Sequence, residues 1–264
     1  MMFYFLDEGF WQYPGLIGLF IISLACVIFL RYFLVSVIYK YFLEQTSGTT
    51  RNSFVHHTAQ IKTEIKWAII SSLVFTVVAA FSFWAYQHNL TLIYSEIKQY
   101  SILYFLISPF LILAVYETYY YWLHRWMHRP GVFTRIHKVH HDSLLPTVFT
   151  AFSFHPVEAF LQFIFFPVYL MIIPIHPYML GIVFLVLTVT AMVNHGGVEV
   201  AGRLTARHLI GSRHHDLHHK LFRRNFGLNV TWWDKWMKTE EVSDSEVAST
   251  PANTSRRSES AIVE

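Results

Sequence analysis

This chain of 264 residues contains 16 histidines, and eight of them fall in three tight clusters. His124 and His128 stand in HRWMH, His137, His140 and His141 in HKVHH, and His215, His218 and His219 in HDLHH. Imidazole is the commonest protein ligand for transition metals. On a helix, positions i, i+3 and i+4 share one face. HxxxH therefore aims two rings the same way, and each HxxHH aims three. Eight ligands are too many for one ion, so the spacing predicts a polynuclear metal site. Two ions with four or five nitrogen ligands each need about eight to ten imidazoles. His195, in NHGG, is a ninth candidate, and His155, in FHP, is either a tenth ligand or a structural residue. His214 offers another i,i+4 frame with His218, but the His215 frame repeats the spacing of the second cluster. His56, His57, His88, His176 and His208 read as ordinary loop or interface residues.

A ligating imidazole usually donates its other ring N–H to a carboxylate or carbonyl. Glu117 lies seven residues before His124, on the same helical stripe and inside an apolar run. A carboxylate in a membrane is costly and by default functional. Glu117 is therefore expected to support a first-cluster histidine from behind. Asp142, Glu158, Glu199 and Asp216 are either further supports or surface charges. Imidazole suits zinc, copper, iron and nickel alike. Spacing alone leaves open a closed zinc pair and a redox-active iron site.

The elements that must position these rings are apolar. Hydrophobic residues make up 54% of the chain, aromatics 18% and charged residues 14%, against about 25% charged in soluble domains. Mean hydropathy is +0.37. This is the composition of an integral membrane protein. A formal charge of +3 is too small to argue for a nucleic-acid partner, and no basic stripe with a nucleic-acid module is present, so none is expected. The single cysteine, Cys26, excludes an intrachain disulfide or an iron–sulfur cluster and reads as a packing residue.

Crossing a bilayer takes about 20 mostly apolar residues. Runs 11–30, 67–86 and 102–123 qualify, with Arg31 closing the first. Shorter runs at 159–173 and 178–193 are separated by Pro174 and Pro177 and read as a hairpin. The first ten residues hold Asp7 and Glu8 and no basic residue, the reverse of a signal peptide, so the first run is expected to be a permanent span. Lys40, Arg51, Lys62 and Lys66 fall in the connector 40–66, whereas 87–101 holds only Lys98. The positive-inside rule then places 40–66 in the cytoplasm and the N-terminus outside. All three clusters and His195 reach one cytoplasmic boundary, and of the sequons at Asn89, Asn229 and Asn253 only Asn89 faces out.

The expected fold is all-α: an integral membrane bundle of about four transmembrane helices, the last two a Pro-separated hairpin, with a cytoplasmic helical cap carrying the histidine clusters. Residues 1–99 would form the N-terminal transmembrane helices and connector, 100–240 the metal domain, and 241–264, rich in Ser, Glu and Thr, a disordered tail. The aromatic stretches 116–122 and 160–166 are either bundle packing or the wall of an entry slot for an apolar ligand.

The order HxxxH, HxxHH, hydrophobic hairpin, HxxHH resembles the fatty acid hydroxylase / sterol desaturase superfamily of membrane di-iron enzymes. The resemblance covers roughly residues 100–240. It rests on YWLHRWMHRP (121–130), IHKVHHD (136–142), TAFSFHP (150–156), HDLHH (215–219), and NFGL (225–228) leading to WWD (232–234). It implies a four-helix membrane domain whose cap holds two non-haem irons. It also implies O2-dependent hydroxylation or desaturation of a bilayer lipid, with electrons from a separate carrier of cytochrome b5 or ferredoxin type. The family's catalytic ligands carry over to His124, His128, His137, His140, His141, His215, His218 and His219, and also to His195. Some fatty acyl hydroxylases of the group have a second histidine four residues after the His195 equivalent. Glu199 stands there in this chain, which favours the sterol-type branch over a fatty acyl or sphingolipid hydroxylase. Such an enzyme would sit in the endoplasmic reticulum of a eukaryote or the inner membrane of a bacterium. A membrane metal transporter is the alternative class. It would place polar ligands near the bilayer midplane on broken helices, whereas these histidines sit past the ends of runs nearly free of polar ligands.

Overall fold

The computed structural model describes residues 14–46, 58–197 and 208–242, and these residues form helices with no strand among them. The N-terminal residues that precede the first helix, Arg51, His56, His57, Glu199, Asn253 and nearly all of the expected tail lie outside the described residues.

Helices α1 (Pro14–Thr46) and α2 (Thr58–Gln87) hold 33 and 30 residues. At a rise of ~1.5 Å per residue they reach ~50 and ~45 Å, well beyond a bilayer core of ~30 Å. They run through most of the segment 40–66 that the charge pattern marks as a connector. Hydropathy locates the lipid crossing, but helix continuity depends on breakers, and no Gly or Pro interrupts 19–46 or 58–87. Arg31 consequently lies well inside α1 and does not mark its end. Cys26 is exposed on the outer face of α1 and is not a core residue.

Helix α3 (Ile102–Met127) starts at Ser101, whose side chain accepts the Tyr104 amide at 3.0 Å. Pro109 inside it has no N–H for the Phe105 carbonyl. The Ser108 hydroxyl donates to that carbonyl at 3.0 Å, so the helix continues. A π-helical turn (Phe133–His137) leads into the short α4 (Lys138–His141). A 3-10 turn (Val148–Phe152) precedes α5 (Pro156–Phe163) and α6 (Phe165–Ile172). Pro167 cannot donate to the carbonyl four residues back, which is why the α5–α6 run breaks at Ile164. Helix α7 (Pro177–His195) completes the hairpin. The hairpin packs against the segment after α2 and the first turn of α3: the Leu92 amide donates to the Leu170 carbonyl at 2.7 Å and the Tyr104 hydroxyl to the Pro174 carbonyl at 2.7 Å. Helices α8 (Ser212–Leu221) and α9 (Trp232–Trp236) close the cap.

Pro14–Phe42, Ala59–Gln87, Ile102–Met127 and Pro177–His195 are long and apolar enough to cross a membrane. Their outer faces expose Leu19, Ile22, Phe110 and Leu185, as lipid contact requires. Ile112, Tyr116, Phe165, Phe166, Tyr169 and Val183 pack α3, α6 and α7 together. A second core joins Tyr32, Ala68, Phe149 and Met192 from α1, α2, the 3-10 turn and α7. This architecture brings the C-terminal ends of α3 and α7 to one layer.

Candidate metal centre

The last turn of α3 carries His124, and His128 follows as its C-cap. His195 ends α7. His137 ends the π-helical turn, His140 and His141 lie on α4, and His215, His218 and His219 on α8. The nine rings meet in two groups. His124, His128, His137, His141 and His218 form one, and His140, His195, His215 and His219 the other, with each group's ligand nitrogens within 4.8 Å of one another. All but His128 are buried.

The Nδ1 atoms face outward to the protein. His124 Nδ1 donates to the Phe226 carbonyl at 2.8 Å, His218 Nδ1 to the Arg224 carbonyl at 2.7 Å and His195 Nδ1 to the Ala191 carbonyl at 2.7 Å. His137 Nδ1 donates to Glu158 Oε1 at 2.8 Å. The Nε2 atoms face one another: His124 to His137 at 3.1 Å, His140 to His195 at 3.3 Å and His195 to His215 at 3.0 Å. Carbonyls only accept, so a ring bound to one carries its proton on Nδ1. Burial first, and neighbouring imidazoles second, hold His128, His137, His140, His141, His215, His218 and His219 below the ordinary imidazole value. With their Nδ1 protons directed at the Phe226 carbonyl and Glu158, neutral His124 and His137 point Nε2 lone pairs at each other 3.1 Å apart. Two lone pairs at that distance repel unless a cation lies between them. These donors fit a metal ion in each group. The five-nitrogen group exceeds the four ligands of a closed tetrahedral zinc site.

An apolar shell surrounds the first group. Phe226 packs edge-on or tilted, 5.4–5.7 Å from His124, His128 and His218 (ring centroids), and Phe133 lies 5.4 Å from His128 and 5.5 Å from His141. Phe154 lies 5.0 Å from His140 in the other group.

Among the described residues, Glu117 makes no hydrogen bond to a histidine. Its buried carboxylate accepts the Leu228 and Asn229 amides at 2.9 Å each, the Asn229 side chain at 2.7 Å and the Val230 amide at 3.4 Å. Glu117 pins the strap 228–230, which follows closely on Phe226, whose carbonyl accepts from His124 Nδ1, so the carboxylate supports His124 only at a remove. Glu117→Ala leaves these buried amides without an acceptor and should cost ~3 kcal/mol, read as a lower thermal midpoint in detergent. An unchanged midpoint would contradict that role. Glu158 is the carboxylate that meets a ring directly. Asp142 pairs with Lys138 on the surface, and Asp216 is half-buried on α8. His155 is the N-cap of α5, its Nδ1 accepting the Val157 amide at 3.3 Å, and it belongs to neither group. His214 faces Asp234 at 3.5 Å.

Three further residues position the site, and sequence reading gave none of them a role. Asp234 accepts the Phe226 amide at 2.8 Å, the Gly227 amide at 2.9 Å and the Thr239 hydroxyl at 2.8 Å. Burial alone would raise this carboxyl, but His214, Gly227 and Thr239 outweigh it and hold it below the ordinary range. Gly227 is close-packed: a Cβ there would lie 2.7 Å from Ile210 Cδ1 and 2.8 Å from the Val230 carbonyl oxygen. Gly227→Ala should therefore destabilise the protein by ~1–3 kcal/mol and loosen the strap behind His124; a variant with wild-type melting and metal retention would refute this. Glu64 on α2 is buried and accepts Ser143 at 2.8 Å, Thr147 at 2.6 Å and Thr150 at 2.9 Å. It fixes the loop that links the second cluster to the hairpin. The NFGL…WWD pattern pointed to the strap; nothing in the sequence marked Glu64.

Comparison with known proteins agrees with this geometry. Residues 109–239 match the family model described as fatty acid hydroxylase. The Delta(7)-sterol 5(6)-desaturase ERG3B of Gibberella zeae is 28% identical over 185 residues, covering 69% of this chain and 57% of that protein. Lathosterol oxidase of Homo sapiens is 25% identical over 209 residues, covering 78% and 69%. Lathosterol oxidase of Mus musculus is 38% identical over 116 residues, covering 44% and 38%. The chain thus spans between about a third and two thirds of the length of these relatives. No solved structure matches.

Proposed function

We propose that this chain, which belongs to the fatty acid hydroxylase / sterol desaturase superfamily, is a membrane-bound non-haem di-iron oxidoreductase that hydroxylates or desaturates a bilayer lipid with O2. A sterol-type substrate is favoured, in keeping with the named activities of the relatives. The observation that carries this reading is the division of nine inward-facing imidazoles into a five-ring and a four-ring group at the ends of membrane helices. His124, His128, His137, His141 and His218 would hold one iron, and His140, His195, His215 and His219 the other. Iron bound there supplies the O2-driven redox chemistry that an unactivated C–H bond requires.

The chain's own residues set the conditions. Glu158 fixes the His137 tautomer by accepting a hydrogen bond from its Nδ1–H. The Phe226, Phe133 and Phe154 rings keep water from the groups. A cavity of about 410 Å³ lies among α1, α2, α3, α5–α6 and α7, lined by Phe75, Tyr116, Phe163, Phe166 and Phe184. It offers an apolar chain or ring system a place inside the bundle, so the aromatic stretches serve both packing and the cavity wall. Residues 100–240 form the catalytic unit in this reading, and 1–99 supply α1 and α2 to it. Electrons come from a separate cytochrome b5 or ferredoxin-type carrier docking on the cap, which the charge pattern assigns to the cytoplasm. Metal transport is disfavoured because the ligand rings are buried and gathered at the helix ends.

Lipid profiling of a host with and without the gene, under air and under nitrogen, tests this directly. An oxidised or unsaturated sterol should appear only with both gene and air. Identical profiles in all four cultures would contradict it. In a glycosylating host, sugar on Asn89 alone fits the assigned orientation, and sugar on Asn229 would reverse it.

A further inference from the structure

Arg31 is a cation in the middle of a membrane helix. It lies 17 residues into α1, ~25 Å from that helix's first residue at ~1.5 Å per residue. Leu24, Val27, Ile28 and Arg31 form one i, i+3, i+4, i+7 stripe on the cavity wall. The guanidinium sits over the Phe152 ring, 6.0 Å from its centroid. Its Nε is buried with no hydrogen-bond partner among the described residues, and no carboxylate there forms an ion pair with it. A charged side chain inside a bilayer almost always faces a partner or marks a ligand path. A buried donor left unmade costs more than the bond itself gains. Within a largely apolar cavity, no described residue supplies this donor with an acceptor.

The position of Arg31 along the cavity adds direction. Phe152 lies 6.4 Å from Phe154, and Phe154 lies 5.0 Å from His140. Gln162 also lines the cavity and donates to Glu158 at 3.1 Å, and Glu158 in turn holds His137. Thr188 lines it seven residues, two helical turns, before His195 on α7. Arg31 therefore marks the histidine end. The opposite end is walled by Tyr86, Ile93, Leu170 and Pro177, at the hairpin turn.

We propose that Arg31 is the polar anchor of the lipid cavity: it binds the oxygen acceptor of a lipid's polar end beside the metal centre, with the apolar body extending toward the hairpin turn. It follows that the bond oxidised lies near the polar end of the substrate, not at its far apolar terminus. The assignment of the reacting end rests on the function proposed above; the anchor itself does not.

The test measures binding to purified, metal-replete protein in nanodiscs, without turnover. The probes are a saturated 3-hydroxysterol and its 3-deoxy hydrocarbon, and a long-chain fatty carboxylate and the matching alkane. Wild type and Arg31→Gln are compared, with Arg31→Lys retaining the charge, and metal content and melting confirm that each variant is folded. Arg31→Gln should weaken an oxygenated probe about tenfold or more, leave its hydrocarbon partner unaffected, and be partly rescued by Arg31→Lys. Dependence seen with the hydroxysterol supports the anchor and the sterol reading together. Dependence seen only with the carboxylate supports the anchor and sinks the sterol reading. Equal binding of both oxygenated probes by wild type and Arg31→Gln, or no preference of wild type for either over its hydrocarbon, overturns the proposal.

Discussion

His218→Ala and His140→Ala should each abolish lipid oxidation while leaving membrane insertion intact. His218 is central to the five-ring group: its Nε2 lies 3.1 Å from those of both His128 and His141, and its ring 4.4 Å from His124. His140 meets His195 in the four-ring group at 3.3 Å. Each substitution removes one inward nitrogen and opens a hole in a buried cluster. Bound metal should fall by about one ion per chain in each variant, because each touches a different group. Product analysis and metal determination on the same preparations read both effects. His155→Ala is the contrasting control. It removes an N-cap, at a cost of ~1 kcal/mol, and should leave metal content and turnover near wild type. Product formation near wild type by either cluster variant would contradict the site.

Glu158→Ala should weaken metal binding by about 10–100-fold, the usual cost of losing the carboxylate behind a ligating imidazole. Glu158 is fully buried, and His137 Nδ1 and the Gln162 amide both donate to its Oε1. Without the carboxylate, the His137 proton is free to move to Nε2 and block the ligating lone pair. Glu158→Gln keeps an acceptor oxygen without the charge and should fall between the two. Competition with a chelator gives the affinities. Equal affinities in all three proteins would show that the His137 ring is held by packing alone.

The spans and the hairpin were legible because apolar run length and proline are strong local signals; Pro174 and Pro177 mark the turn between α6 and α7 as the pattern required. The meeting of the histidines was legible as a total but not in its partition. His140 and His141 are neighbours in one cluster and go to different groups, as do His218 and His219. Adjacent helical residues point ~100° apart. Spacing shows which rings share a face of one helix, but not which helices face each other. Glu117 sits on the same stripe as His124, yet its depth turns it toward the 228–230 strap. Glu158, which does reach a ring, comes 21 residues after His137, and no periodicity links them. Arg31 closes an apolar run in the sequence; the helix continues past it to Thr46, and its place on the cavity wall was not legible from hydropathy.

Metal analysis of the intact protein, purified in lipid, most directly tests whether two ions share this cluster. The five- and four-ring groups predict about two tightly held irons per chain, with nitrogen-dominated ligation by X-ray absorption and loss of one iron in His140→Ala or His218→Ala. A single ion per chain, or a zinc pair in tetrahedral sites that survives both substitutions, would contradict it.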